Sequence, residues 1–91
     1  MEMKRIYITV IGTVQGVGFR HHTRQEAQRL GLVGFVKNRP DGGVECCIEG
    51  DEIAVEGFVA WCKLGPTLAA VESVEVEPQR YRQEFQRFEI R

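Results

Sequence analysis

Runs of β-branched and apolar residues alternate along this chain with two amphipathic segments. The run IYITVIG, residues 6–12, is rich in β-branched side chains and ends at glycine, which is typical of a strand. The polar segment RHHTRQEAQRLG, residues 20–31, is predicted to be a helix that stops at Gly31. The face of this helix is formed by residues spaced three to four apart: Phe19, Thr23, Ala27 and Leu30.

Two further runs predict a hairpin. The segments LVGFVKN (32–38) and VECCIEG (44–50) are strand-like and are separated by RPDGG. Because Pro-Asp-Gly is a turn-forming sequence, the two strands are expected to pair directly.

A second amphipathic segment follows at residues 52–65, with Asp51 as its expected cap. Gly65 and Pro66 are expected to end it. Its apolar positions recur at helical spacing: Val55, Phe58, Val59 and Cys62. Residues 69–77 predict a fourth strand and residues 84–90 a short fifth one.

The resulting order is β-α-β-β-α-β with one extra C-terminal strand. This order predicts an α/β (α+β) ferredoxin-like sandwich, in which an antiparallel sheet carries two helices on one face. With 91 residues, 43% of them apolar, the chain is expected to form one domain over residues 1–91 with a single small core. Because this fold hosts many functions, the function must be argued from individual residues.

The net charge is close to zero, but positive charge is concentrated in the first half of the chain. The net charge of −1 argues against a general nucleic-acid or membrane binder, which usually carries a basic field. Residues 1–45 hold seven Lys/Arg against four Asp/Glu, a balance of +3, whereas residues 46–91 hold five against nine, a balance of −4. The basic half contains a glycine-rich segment, so attraction of a small anion is more plausible than binding of a polyanion.

The three cysteines, Cys46, Cys47 and Cys62, are an odd number without Cys-x-x-Cys spacing. We expect reduced thiols in a cytoplasmic protein, without a metal or other cofactor. The chain shows neither the apolar region of a signal peptide nor an 18-residue apolar run. Since adjacent strand residues point to opposite faces, Cys47 is predicted on the sheet surface away from Cys46, and the carboxylates are predicted to be solvated.

The segment VQGVGFRHH, between the first strand and the first helix, is the main candidate for chemistry. Its glycines allow positive φ, so consecutive N–H groups can form an anion nest at the positive end of the helix. Arg20 can add a bidentate grip on phosphate or carboxylate oxygens. The segment is neither a Walker loop nor a dinucleotide fingerprint. On the residues alone, a tight turn beside a surface arginine explains it equally well.

Other candidates are weaker. Asn38, at the end of a predicted strand, is more simply a turn former than a group that positions water. Since neighbouring helix residues lie about 100° apart, at most one of His21 and His22 faces the loop. No arrangement of a nucleophile and a base stands out. A nest, an arginine and an amide suit a reactive substrate such as a carboxylic–phosphoric anhydride, which mainly needs its phosphate held and water placed.

Two motifs resemble those of the acylphosphatase family. GTVQGVGFR (12–20) is similar to the family's first motif, and GFVKNRPDGGVECCIEG (34–50) is similar to its second. The segments WCKLGP and FEI extend the resemblance over nearly the whole chain.

The resemblance implies metal-independent hydrolysis of acyl phosphates to carboxylate and inorganic phosphate. The phosphoryl group would be held by Arg20 and by the backbone amides of Gln15, Gly16, Val17, Gly18, Phe19 and Arg20. Asn38 would orient the attacking water, and the substrate's own phosphate would help to take the proton. We expect a monomer that binds a small acyl phosphate, inhibited competitively by inorganic phosphate. The resemblance gives no role to His21, His22 or Arg39.

Two alternatives remain open. The same element order occurs in RNA-recognition domains, with Tyr7 and Phe35 as candidate stacking residues, but Glu45 and Glu49 would share that face and the net charge is negative. The second alternative is an acylphosphatase-like module that serves a larger maturation enzyme.

Overall fold

The computed structural model describes residues 2–91 and confirms the predicted order of elements. The elements are β1 (Met3–Thr13), α1 (Phe19–Arg29), β2 (Val33–Asn38), β3 (Val44–Asp51), α2 (Glu52–Leu64), β4 (Ala70–Gln79) and β5 (Phe88–Ile90). The fifth strand is shorter than predicted and occupies only the last part of residues 84–90. Neither helix in the described part of the chain is long and apolar enough to cross a membrane.

The five strands form one sheet in the order β4-β1-β3-β2-β5. The first four pair antiparallel, as expected for the ferredoxin-like pattern. The added strand β5 runs parallel to β2, with Gly34 opposite Phe88, so the complete sheet is mixed. In the β2–β3 hairpin Asn38 lies opposite Val44, at the end of β2 that faces the turn.

Both helices pack on one face of the sheet. The strands contribute Ile6, Ile8, Val10, Val36, Val44, Cys46, Ile48 and Phe88 to this core. The helices contribute Phe19, Thr23, Ala27, Val55, Phe58 and Cys62, while Leu30 and Val59 pack at its margin. The predicted helix faces are therefore confirmed. Asp51 lies at the N-cap of α2, although no capping bond from its side chain is present in the described chain.

The opposite face of the sheet is partly covered, which corrects the predictions for two of its residues. Cys47 and Glu49, predicted to lie at the surface, are each 1% exposed. The backbone amides of Arg82 and Glu84 donate hydrogen bonds to the Glu49 carboxylate at 2.9 and 2.8 Å. The Phe85 ring lies 5.9 Å from the ring of Phe35. The irregular segment 80–87 therefore covers the part of this face formed by β2 and β3, and the periodicity of the strands gave no sign of it.

The buried carboxylate of Glu49 connects the sheet to segment 80–87. Burial by itself raises the pKa of Glu49, but hydrogen bonds from the amides of Arg82 and Glu84 and from Arg5 outweigh burial and leave the pKa below its usual range. The Arg5 guanidinium lies 3.3 Å from Glu49 and 2.7 Å from Glu84. One carboxylate thus ties segment 80–87 to the sheet.

We expect Glu49→Gln to lower the free energy of unfolding at pH 7 by about 1–3 kcal/mol, because an amide cannot accept both backbone bonds and leaves Arg5 without this anion. Because the folded pKa is depressed, the stabilisation is complete above the unfolded pKa of about 4.3 and is lost as the pH falls through the folded value. Urea titrations at several pH values should show the two proteins converging in acid. Glu75→Gln, on exposed β4, is the control. Equal stability of the Glu49→Gln variant and the parent at pH 7 would contradict this role.

Candidate active site

The glycine-rich segment forms a short loop between β1 and α1. Its ends are fixed in the core, since Val14 and Phe19 are each 1% exposed. Between them Gly16 and Gly18 both have φ of +75°, whereas Val17 lies outside the positive-φ region. Positive φ at such positions allows neighbouring N–H groups to turn toward a common point, as in an anion nest. A Cβ at Gly16 would meet no atom within 4 Å, so space alone would allow a larger residue there. Glycine is favoured at this position by its positive φ instead.

The N-terminus of α1 adds further donors to this loop. Gly18 is the N-cap, and the N–H of His22 donates to Gly18 O at 3.0 Å. The amides of residues 19–21 precede this bond and so have no acceptor within the helix. The first turn of α1, all of which the structure describes, contains no acidic residue to offset the positive end of the helix dipole. The loop and the helix end together are suited to an anion.

A small pocket of about 190 Å³ brings the loop together with the end of β2. Its walls include Gly16, Gly18, Arg20 and Asn38, which lie on two segments separated in sequence. The remaining lining residues are Val14, Phe19, His21 and Ile90. The pocket therefore contains the arginine, the amide and the loop glycines that the sequence singled out.

The charge of Arg20 is not neutralised by the protein. Among residues 2–91, no carboxylate forms an ion pair with the Arg20 guanidinium. Asn38 is exposed, at the last position of β2. A positive group and an uncommitted amide thus face the same small pocket.

Two predicted loop residues, Gln15 and Val17, do not line the pocket with their side chains. Val17 packs against the margin of the core and lines a separate cavity of about 460 Å³ with Trp61 and Leu68. The Gln15 side chain turns toward the hairpin, where its Nε2 donates to Arg39 O at 2.7 Å and to Gly43 O at 2.8 Å. Sequence reasoning assigned Gln15 only a backbone role and missed this link.

The two histidines differ in position, as the helical spacing predicted. His21 lines the small pocket, whereas His22 lines the larger cavity beside Val17. Their rings are 5.7 Å apart, centroid to centroid.

Arg39 is committed to the hairpin rather than to the pocket. Its guanidinium lies 3.1 Å from Asp41 and 3.6 Å from Glu45. Glu45 also accepts a hydrogen bond from Tyr7 and pairs with Lys37 at 3.3 Å. Burial raises the pKa of Glu45, but these partners outweigh it and hold the pKa below its usual range. Arg39 therefore adds little net positive charge beside Asn38.

The cysteines form no disulfide, and all three are buried free thiols. Burial raises the pKa of Cys62 to about 12, so this thiol is protonated at neutral pH. In the described residues, no group of three or more His, Cys, Asp or Glu is placed to hold a metal ion.

Known proteins are similar to this chain in both sequence and fold. The family model for acylphosphatase matches residues 6–90. An acylphosphatase of Geobacter sulfurreducens is 53% identical over 87 residues, which cover 96% of each chain. The crystal structure of acylphosphatase from Bacillus subtilis superposes with a TM-score of 0.92 at 40% identity, covering 98% of each chain.

The fold also occurs inside a much larger protein. The crystal structure of full-length HypF, in a phosphate- and nucleotide-bound form, superposes with a TM-score of 0.86 at 29% identity. The match covers 98% of this chain but only 12% of HypF.

Proposed function

Because this chain belongs to the acylphosphatase family, we propose that it hydrolyses acyl phosphates in the pocket between the β1–α1 loop and Asn38. The observation that carries this proposal is the shared lining of one pocket by Gly16, Gly18, Arg20 and Asn38. The two sequence segments that resemble the family's motifs meet there. The reaction would give a carboxylate and inorganic phosphate without a metal ion.

The loop would bind the phosphoryl group. The backbone amides of residues 15–20 would supply the donors, and the positive φ of Gly16 and Gly18 suits a loop whose N–H groups converge on an anion. Arg20 supplies a planar pair of N–H donors and the positive charge that a phosphate dianion requires. A loop and helix end that already hold this conformation would stabilise the charge of the transition state without reorganisation.

Asn38 would place the attacking water. Its amide offers both a donor and an acceptor, so it can hold a water molecule in one orientation. The water oxygen forms a bond to phosphorus as the bond from phosphorus to the acyl oxygen breaks. The carboxylate leaves with the electron pair of that bond, and one water proton passes to a phosphoryl oxygen.

These reaction steps account for every atom without a separate protein base. An acyl phosphate dianion and one water give a carboxylate anion and a dihydrogen phosphate anion. Because a carboxylate is a good leaving group, the reaction needs little help from a protein acid. His21 lines the pocket, but this mechanism gives it no proton to move.

The purified chain should hydrolyse a simple acyl phosphate such as benzoyl phosphate in the presence of a chelator, with inorganic phosphate as a competitive inhibitor. Attack at phosphorus predicts that a reaction in H₂¹⁸O places the label in phosphate and leaves the carboxylate unlabelled. Mass spectrometry of both products measures this directly. Label in the carboxylate would show attack at carbon and would remove the proposed role of Asn38.

A folded protein that binds phosphate without turnover would instead indicate a domain that recognises phosphate without hydrolysing acyl phosphates. Loss of turnover in the chelator, restored by a divalent ion, would contradict the metal-independent mechanism.

A further inference from the structure

We propose that the side chain of Gln15 is a positioning residue that holds the phosphate loop and the Asn38 turn at a fixed separation. The inference rests on the proposed function and deepens it, because it concerns how the two halves of that site are joined. Gln15 lies in the loop, immediately before Gly16. Its side chain leaves the loop and contacts the hairpin turn that follows β2.

Both hydrogens of the Gln15 amide are used at the turn. Nε2 donates to Arg39 O at 2.7 Å and to Gly43 O at 2.8 Å, and both bonds are partly buried. Two short bonds from one planar group fix direction as well as distance.

The two acceptors are the ends of the turn itself. The N–H of Arg39 donates to Gly43 O at 2.8 Å, and the N–H of Gly42 donates to Arg39 O at 3.2 Å. Arg39 follows Asn38 directly in the chain. Gln15 therefore holds the carbonyl one peptide unit beyond the group that would orient water.

Asn38 needs a fixed backbone because hydrogen bonds do not hold its side chain. In the described structure, no protein group donates to or accepts from the side-chain amide of Asn38. Its location follows from the backbone alone, through pairing with Val44 and the closed turn. A loose turn would displace the water relative to phosphorus, and a displacement of about 1 Å costs on the order of 10²-fold in rate.

The decisive substitution is Gln15→Glu, which keeps the shape of the side chain. At neutral pH a carboxylate has no hydrogen to donate and repels both carbonyl oxygens. We expect kcat to fall by about 10- to 100-fold, with a smaller change in KM because the loop amides and Arg20 remain. As the pH falls toward 4–5, the protonated acid regains one donor, so kcat relative to the parent protein should recover.

Two variants make this result specific. Gln15→Met lacks a donor at every pH, so it should lose activity at neutral pH and show no recovery in acid. Gln28→Glu makes the same charge change on the exposed side of α1 and should behave as the parent protein. All rates are corrected for spontaneous hydrolysis at each pH. Equal pH profiles of Gln15→Glu and Gln15→Met, or a parental kcat in Gln15→Glu, would overturn the inference.

A measurement without turnover separates this inference from the proposed function. In nuclear magnetic resonance spectra, adding inorganic phosphate should shift the backbone amides of Arg39 and residues 41–43 in the parent protein and much less in Gln15→Met. Coupled shifts in a protein that does not hydrolyse acyl phosphate would retain the link and reject the reaction. Identical shifts in both proteins would reject the link, whatever the activity.

Discussion

Arg20→Ala is expected to abolish acyl phosphate hydrolysis and to weaken inhibition by inorganic phosphate strongly. Removing one preorganised donor from an oxyanion site typically costs 10²- to 10³-fold in rate, and Arg20 supplies two donors together with a positive charge. A loss of about 10³-fold or more corresponds to about 4 kcal/mol of transition-state stabilisation. Because the Arg20 guanidinium has no protein carboxylate partner in residues 2–91, its removal leaves no buried anion behind.

Steady-state kinetics and phosphate inhibition measure this effect, and two further variants interpret it. Arg20→Lys retains the charge but not the planar pair of donors, so it should recover only part of the activity. Arg24→Ala removes a charge one helical turn further along α1, outside the pocket, and should stay close to the parent protein. Nearly full activity in Arg20→Lys would show that charge alone suffices and that the bidentate grip is wrong. An equal loss of activity in Arg24→Ala would show that the overall positive charge of α1 matters, and not a direct contact between Arg20 and the phosphate.

Local features of the sequence predicted the loop because its determinants are adjacent in the chain. Gly16 and Gly18 lie in the short loop between β1 and α1, and Arg20 is the second residue of α1. The backbone conformation of so short a segment depends mainly on near neighbours. The helix faces follow from periodicity for the same reason. These parts of the fold and of the site could therefore be predicted without tertiary information.

Features that depend on distant segments were missed or left open. Gln15 bonds to carbonyls 24 and 28 residues away, and no local pattern shows which backbone will face it. Glu49 is buried by amides 33 and 35 residues away, in a segment without regular structure. Asn38 and Arg20 line the same pocket because of the strand order. Only the resemblance to a family suggested that they would lie together.

The conformation of the loop is determined locally, whereas the position of Asn38 depends on distant segments. The loop can form an anion nest wherever a strand enters a helix, but hydrolysis also requires a correctly placed water. In the proposed mechanism that second requirement depends on tertiary structure, through the pairing of β2 with β3 and the bonds from Gln15 to the turn. Binding and turnover should therefore respond to different substitutions.

Asn38→Ala tests this separation most directly. We expect kcat to fall by about 10²-fold or more, because the water loses the group that orients it. KM and the inhibition constant for phosphate should change little, since the nest and Arg20 remain. Initial rates over a range of substrate and phosphate concentrations give both quantities from one set of experiments. Lys37→Ala, at the preceding exposed position of β2, controls for disturbance of the strand end.

Asn38→Asp distinguishes the amide's role from simple occupancy of the pocket. The carboxylate keeps the size and an acceptor, but it has no donor and brings negative charge toward a phosphate dianion. We therefore expect it to lose kcat as Asn38→Ala does and also to weaken phosphate inhibition, which Asn38→Ala should not. If Asn38→Ala instead weakened phosphate inhibition and left kcat intact, Asn38 would be a phosphate ligand. Water would then have to be placed by the backbone of the turn, and Gln15→Glu would lower kcat more than Asn38→Ala does.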